Sequence, residues 1–246
     1  MHELHLEFVV ATIALASIFL IAKWLRLPND GMWRNWVSAS AGASVAYVWI
    51  HMIPELNEQQ QAFNQAAGTH LPAPQLRVYV CGLIGFLGFY GFQHMRHRST
   101  ADAEANRSGR PAHLKTYRLY VVGFSFYVAL VGYLMIESSE RGLLSLLVYW
   151  VAMGLHFLAV NHSFEESGEQ YYNERGRWLL AFAVLVGGFT GMFTTLNARV
   201  LATLLGLLSG GVIVNSVLME LPRGREGKFI PFFSGAALFS VLLALI

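Results

Sequence analysis

Charged side chains are scarce in this chain. Asp, Glu, Lys and Arg make up 13% of its 246 residues, whereas a typical soluble domain carries about 25%. That supply is too small to cover the surface of a globule in water. Cysteine is scarcer still, because the single Cys81 lies inside an apolar block. One cysteine excludes an internal disulfide framework.

Aspartate is also nearly absent, since Asp30 and Asp102 are the only two and both fall in polar segments. A hydrolytic metal site in a helical bundle needs several histidines with Asp or Ser at one depth, and the chain offers no such set. No phosphate-binding glycine loop or nucleic-acid motif is present either. We therefore expect a protein that is not an enzyme and has no nucleic-acid partner.

Apolar residues make up 55% of the chain and are gathered into long blocks. Blocks of about 17–25 apolar residues match the hydrocarbon thickness of a bilayer when they are helical, and a helix satisfies its own backbone hydrogen bonds in lipid. The sequence predicts an all-α integral membrane protein with eight transmembrane helices in one domain. The predicted spans are residues 6–22, 35–53, 78–93, 119–136, 142–160, 178–195, 200–219 and 229–246.

The basic residues are distributed unevenly between the predicted loops. The loops after spans one, three, five and seven contain 14 of the 17 Lys and Arg residues, and the other side contains only Arg77, Arg141 and Arg199. Cytoplasmic loops collect Lys and Arg, so the sequence predicts both termini outside the cytoplasm. Residues 94–117 are polar and basic, which indicates a flexible cytoplasmic loop, and residues 54–77 form the predicted outer loop.

Spans two and seven resemble one another. Gly42 precedes Pro54 by 12 residues, and Gly210 precedes Pro222 by the same number. The two spans run in opposite directions, as in an inverted-topology repeat in which spans one to three mirror spans six to eight. Gly and Pro are also common in membrane helices, so a chance match is the alternative interpretation.

The same two spans resemble those of the ZIP family of divalent-metal transporters. Residues 42–55 are similar to that family's second span, which ends in His-x-x-Pro-Glu, here His51, Pro54 and Glu55. Residues 209–222 are similar to its seventh span, which ends in an acidic residue, Leu and Pro, here Glu220, Leu221 and Pro222. The resemblance implies a three-plus-two-plus-three inverted repeat and transport of a divalent cation such as zinc.

Spans four and five depart from the family pattern. The ligand positions of span four contain Phe124, Ser125 and Val128, and His156 in span five is followed by Phe157, Ala159 and Val160. Phe and Val have no electron pair to donate, whereas a bound divalent ion needs several O or N ligands. The usual binuclear-site ligands are therefore largely missing.

Several polar residues remain as candidate metal ligands. His156 lies in the middle of an apolar block, where an ionisable residue usually has a function; a neutral histidine bonded to a carbonyl is the alternative. His51 and Glu55 are an i, i+4 pair that either admits a cation or forms a helix end kinked by Pro54.

Two further candidates lie at the predicted cytoplasmic ends of spans. His162 and Glu166 are also spaced i, i+4, with Glu165 beside them, and either hold a metal or form a solvated helix end. Glu220 completes the candidates, with an ion pair to the nearby arginines as its alternative role.

The resemblance suggests a ZIP-like transporter of a divalent metal cation, with a non-transporting ZIP-like sensor, partner subunit or scaffold as the alternative. We expect the bilayer as partner, with a metal cation and a second copy of the chain as further candidates. No resident cofactor is expected beyond a transported cation. The expected location is a bacterial inner membrane.

Overall fold

The computed structural model describes residues 2–21, 30–67, 76–105, 110–166, 171–216 and 228–244. Within these ranges the chain is helical and contains no strand. The α-helices are α1 (His2–Ile21), α2 (Asp30–Tyr47), α3 (Ile53–Ala67), α4 (Arg77–Ala105), α5 (Arg110–Glu140), α6 (Leu143–Glu166), α7 (Arg177–Phe193), α8 (Ala198–Asn215) and α9 (Phe229–Ala244), and two π-helical segments, Val48–Met52 and Tyr172–Gly176, precede α3 and α7.

Within the described ranges, six helical stretches are long and apolar enough to cross a membrane: Arg34–Gln65, Arg77–Met95, Lys115–Glu140, Leu143–His162, Tyr172–Phe193 and Ala198–Asn215. Two shorter apolar helices, Leu6–Ile21 and Phe229–Ala244, lie where the first and last spans were expected. The all-helical prediction is confirmed for the described residues. These helices are compatible with a multi-pass membrane protein.

Pro54 does not end a helix, contrary to one of the two interpretations of the His51–Glu55 segment. The chain passes from α2 through the π-helical turn Val48–Met52 directly into α3, and the N–H of Ile53 donates to the carbonyl of Val48. A proline ring inside an α-helix clashes with the carbonyl four residues earlier, here that of Ile50. The wider π turn accommodates the ring, so the predicted outer loop begins with helix α3.

The helices that flank the predicted loop 94–117 are also longer than their apolar blocks. Helix α4 continues to Ala105 and α5 begins at Arg110, so only residues 106–109 of that loop lie outside the described ranges. Hydropathy marks the lipid-compatible part of a helix, whereas residues such as Ala, Arg and Glu extend it through good intrinsic propensity.

Aromatic side chains fill the centre of the bundle. The Phe19 and Phe157 rings pack with centroids 4.8 Å apart and join α1 to α6. Phe164 stacks on Tyr172 at 4.8 Å and fixes the π-helical turn before α7 against the end of α6. These rings are almost completely buried, and aromatic pairs of this kind contribute beyond their buried area.

Glycines bring three pairs of helices into direct backbone contact. A Cβ added to Gly132 of α5 would overlap the carbonyl of Val184 in α7. A Cβ on Gly42 of α2 would overlap the Phe232 carbonyl of α9, and one on Gly210 of α8 would overlap the Gly82 carbonyl of α4. Small residues of this kind drive packing between membrane helices, because lipid supplies no hydrophobic force between them.

Candidate functional site

A polar cavity lies where four parts of the bundle meet. The segment α2–α3, the end of α5, the start of α6 and the middle of α8 all contribute to its wall. The centre of a water-sized sphere can occupy about 40 Å³ of it, which is room for a few waters or a small ion. Its polar side chains are Tyr47, His51, Glu55, Glu137, Ser138, Arg141, Tyr149 and Ser209.

An ion pair lies at the edge of this cavity. The Nη1 and Nη2 atoms of Arg141 donate to Oε2 and Oε1 of Glu55, both at 3.0 Å. Gln59 also donates to Glu55 at 2.9 Å, and Glu137 lies 3.5 Å from Nη2 of Arg141. A bidentate pair of this kind fixes both charge and orientation. The hydrogen bonds and charge of Glu55 raise the pKa of Arg141, so the guanidinium remains charged.

The short turn between α5 and α6 places Arg141 there. Helix α5 ends at Glu140 and α6 begins at Leu143, and Gly142 between them has φ +115°. Glycine adopts this left-handed conformation at no steric cost. The N–H of Gly142 donates to the carbonyl of Ser139, and the carbonyl of Gly142 accepts from Leu146. The turn therefore starts α6 immediately and directs Arg141 towards α3.

His51 and Glu55, which are spaced i, i+4, both line this cavity. His51 belongs to the π-helical turn and contacts the ring of Tyr47 at a centroid distance of 5.0 Å. Two charged residues that sequence reasoning missed, Glu137 and Arg141, complete the cluster. The sequence did contain one indication of Arg141, because it is one of only three basic residues on the predicted non-cytoplasmic side.

His156 does not line this cavity. It is 1% exposed, and its Nε2 lies 3.0 Å from the hydroxyl of Tyr127. Met153 and Leu134 line the cavity, and Met153 precedes His156 by three residues on the same face of α6. His156 therefore lies about one helical turn beyond Met153 of the cavity wall. A tyrosine partner for His156 was not predicted, although Tyr127 is one residue from the span-four positions that were compared with the ZIP motif.

The remaining predicted ligands are His162, Glu166 and Glu220. His162 is half-buried near the end of α6. The side chain of Glu166 and all of Glu220 lie outside the part of the chain that the structure describes. Among the described side chains, no three His, Cys, Asp or Glu residues lie close enough together to hold a metal ion.

A second polar contact lies inside the bundle between α4 and α8. The Nε2 of Gln93 donates to Oδ1 of Asn215 at 3.1 Å, and both side chains are buried. The contact reinforces the pair of helices that Gly210 brings together.

Tyr127→Phe is expected to destabilise the protein by about 1–3 kcal/mol, because the substitution removes a buried hydrogen bond to the His156 ring. Thermal unfolding in detergent, followed by circular dichroism, measures the loss. Ser125→Ala is the matched control on α5, since its hydroxyl is not buried and donates only to the Val122 carbonyl. Equal stability of the two variants would mean that the Tyr127–His156 contact contributes nothing.

No known family model matches this chain, and no curated protein or solved structure matches it either.

Proposed function

We propose that this chain is a ZIP-like multi-pass membrane transporter whose solute enters through the cavity around Glu55. The observation that carries the proposal is the place of this cavity, at the junction of the predicted spans two, four, five and seven. A carrier binds its solute between helices of the bundle, and charged groups there mark ion pathways. Glu55, Glu137 and His51 offer O and N donors of the kinds that divalent cations such as zinc accept, although these three side chains do not lie close enough together in this structure to hold a metal ion.

The packing of α2 and α8 supports an inverted repeat of ZIP-like plan. Gly42 and Gly210, matched by their spacing to Pro54 and Pro222, have the same role in their respective halves. Each lets its helix contact a backbone carbonyl of a neighbour, Gly42 in α9 and Gly210 in α4. An inverted repeat that exchanges spans two and seven also exchanges spans eight and three, which are these two neighbours. Such a repeat suits alternating access, because one plan supplies both gates.

In this proposal Arg141 pairs with Glu55 when no solute is bound, and an entering cation competes with Arg141 for that carboxylate. Its guanidinium neutralises Glu55 in the absence of solute, which avoids an unpaired carboxylate at a partly buried position. An entering divalent cation displaces Arg141 from Glu55 towards Glu137, which already lies 3.5 Å away. The apolar contacts of Leu134, Met153 and Leu208 then close the path to the interior.

The distribution of basic residues supports the orientation. The loops that contain 14 of the 17 basic residues lie in the cytoplasm under the positive-inside rule, and Glu55 and Arg141 follow the other ends of the predicted spans two and four. The cavity then opens away from the cytoplasm, with both termini on the same side as the cavity. A bacterial inner membrane is the proposed location.

Proteoliposomes test the transport directly. The purified protein is expected to take up radiolabelled zinc, manganese or iron above the level of empty liposomes, and Glu55→Gln is expected to reduce that uptake at least tenfold. Glu140→Gln is the matched control, because this exposed carboxylate lies next to Arg141 and does not line the cavity. Absence of uptake for all three metals would overturn the metal-carrier proposal.

A non-transporting ZIP-like scaffold or sensor is the second candidate. The observation that favours it is the environment of His156, whose Nε2 faces a tyrosine where a metal carrier needs several metal ligands. This candidate predicts no uptake and no stoichiometric metal in the purified protein. A tightly bound ion found by elemental analysis would count against it.

A further inference from the structure

A second cavity, almost wholly apolar, lies on the outside of the bundle between α2, α6 and α9. Its volume is about 490 Å³, within the range of small-molecule sites. Ala39 and Ala43 of α2, Val151 and Leu155 of α6, and Leu238 of α9 contribute to its wall, and Trp36 lies at one end. We call it the α2–α9 groove.

Small side chains on α2 create this groove. Gly235 contacts the backbone of Ala39 and draws α9 against α2. Ala39, Ser40 and Ala43 have short side chains, so they fill little of the space between α2, α6 and α9. The groove is thus a consequence of the same close packing that joins the two helices.

Two basic residues lie near Trp36 and Ala39 without lining the groove itself. The backbone N–H of Lys228 donates to Oγ of Ser38 at 3.3 Å, so the residue that precedes α9 lies beside the middle of α2. Arg34 precedes Ser38 by one turn and is exposed. Trp side chains are typical of the membrane interface, and Lys and Arg near that level attract anionic headgroups.

We propose that the α2–α9 groove is a binding site for an anionic phospholipid. One acyl chain occupies the groove, and the phosphate lies against Arg34 and Lys228. An empty groove would forfeit dispersion contacts along its wall, and an acyl chain restores them. Lipid tails gain no hydrophobic energy from the exchange, so selectivity between lipids comes from the basic end. A second copy of the chain fits less well, because 11 residues line the groove and a stable interface uses about 20–30 residues a side.

Native mass spectrometry tests this site independently of transport. The full chain, purified in detergent, is titrated with phosphatidylglycerol and with phosphatidylcholine of the same acyl chains. We expect preferential retention of phosphatidylglycerol at low salt, by about fivefold per basic residue. The double variant Arg34→Gln/Lys228→Gln removes the preference, and Arg118→Gln leaves it unchanged. Equal retention of the two lipids by the unaltered chain would overturn the proposal.

Variants that fill the groove test the acyl chain. Ala43→Phe and Ser40→Phe are expected to reduce the retained phosphatidylglycerol at least fivefold, whereas Leu83→Phe, on an exposed face of α4, does not. Unchanged retention in both groove variants would overturn the proposal. So would a dimer of the unaltered chain that Ala43→Phe dissociates, because a second copy would then be the occupant.

A fluorescence measurement tests the same site without a substitution that fills the groove. Phosphatidylglycerol with brominated acyl chains is expected to quench the protein's tryptophan fluorescence more than brominated phosphatidylcholine at the same mole fraction. Trp36→Phe is expected to abolish that difference, because Trp36 lies at the end of the groove. Persistence of the difference in Trp36→Phe would place the lipid elsewhere and overturn the proposal.

Discussion

Gly210→Ala is expected to lower the free energy of unfolding by about 3 kcal/mol, the upper part of the usual range for an overpacked interior. The added Cβ would overlap the carbonyl of Gly82 and press on the N–H of Phe86. Both are backbone atoms, which cannot rotate away as a side chain can. Helices α4 and α8 must therefore move apart, and the buried Gln93–Asn215 hydrogen bond between them is weakened with them.

The chain offers a matched control on α4. A Cβ on Gly88 or on Gly91 would meet no atom within 4 Å, so Gly88→Ala and Gly91→Ala add only helix propensity, worth up to about 1 kcal/mol of stabilisation. Reversible unfolding in mixed detergent micelles, followed by circular dichroism, gives the free energies. If Gly210→Ala is as stable as Gly88→Ala, the close contact of α4 and α8 is wrong.

The free energy of unfolding of Gly42→Ala tests whether α2 and α8 have equivalent roles in the inverted repeat. Gly42→Ala is expected to cost as much as Gly210→Ala, because its Cβ would overlap the carbonyl of Phe232 and approach the N–H of Ala236. Matched positions in an inverted repeat face equivalent neighbours, so they should respond alike. A large cost at one glycine and none at the other would argue against equivalent roles for α2 and α8.

Much of the helical plan follows from the sequence, because hydropathy responds to the same bilayer thickness that a span must cross. The 12-residue Gly–Pro spacing also selected Gly42 and Gly210, which both turned out to be sites of backbone contact. Hydropathy does not mark the ends of α4 and α5, since the polar continuation of a helix has no apolar signal. The interpretation of Pro54 as a helix end was wrong for a different reason. The π-helical turn before it accommodates a proline ring that would clash within a regular α-helix.

The candidate site was harder to predict. His51 and Glu55 are neighbours along one helix, so their spacing was informative. The partner of Glu55 is 86 residues away in the sequence, and nothing local to either residue predicts that contact. The Tyr127–His156 contact has the same origin, since it depends on how α5 and α6 rotate against each other. Long-range pairs of this kind come from tertiary packing, which a single sequence does not record.

Arg141→Gln is expected to destabilise the protein by about 2 kcal/mol, between the cost of losing an exposed ion pair and that of breaking a buried one. The side chain of Glu55 is 16% exposed, so its carboxylate loses its counter-ion where water reaches it poorly. The side chain of Arg141 is 41% exposed, so the loss of stability is smaller than for a fully buried ion pair.

Glu55→Gln provides the contrast. It leaves Arg141 with Glu137 as a partner and with access to water, so its cost is expected to stay below about 1 kcal/mol. The double variant Arg141→Gln/Glu55→Gln is expected to recover most of the stability lost in Arg141→Gln, because the unpaired carboxylate is gone. Chemical unfolding of all three variants closes the double-mutant cycle, and Glu140→Gln serves as the neutral control. Equal costs for the two single variants would mean that Glu55 is solvated without Arg141.

The proposed role of Arg141 as a competing cation also predicts how its substitution changes the rate of uptake. Arg141→Gln frees Glu55 for an entering cation, so the uptake rate at low metal concentration is expected to rise severalfold, while Glu55→Gln reduces uptake at least tenfold. Arg141→Lys keeps the charge but not the bidentate geometry, and its uptake is expected to fall between the two. If Arg141→Gln reduces uptake as strongly as Glu55→Gln, the guanidinium assists the solute, and a cation cannot be the species that displaces it.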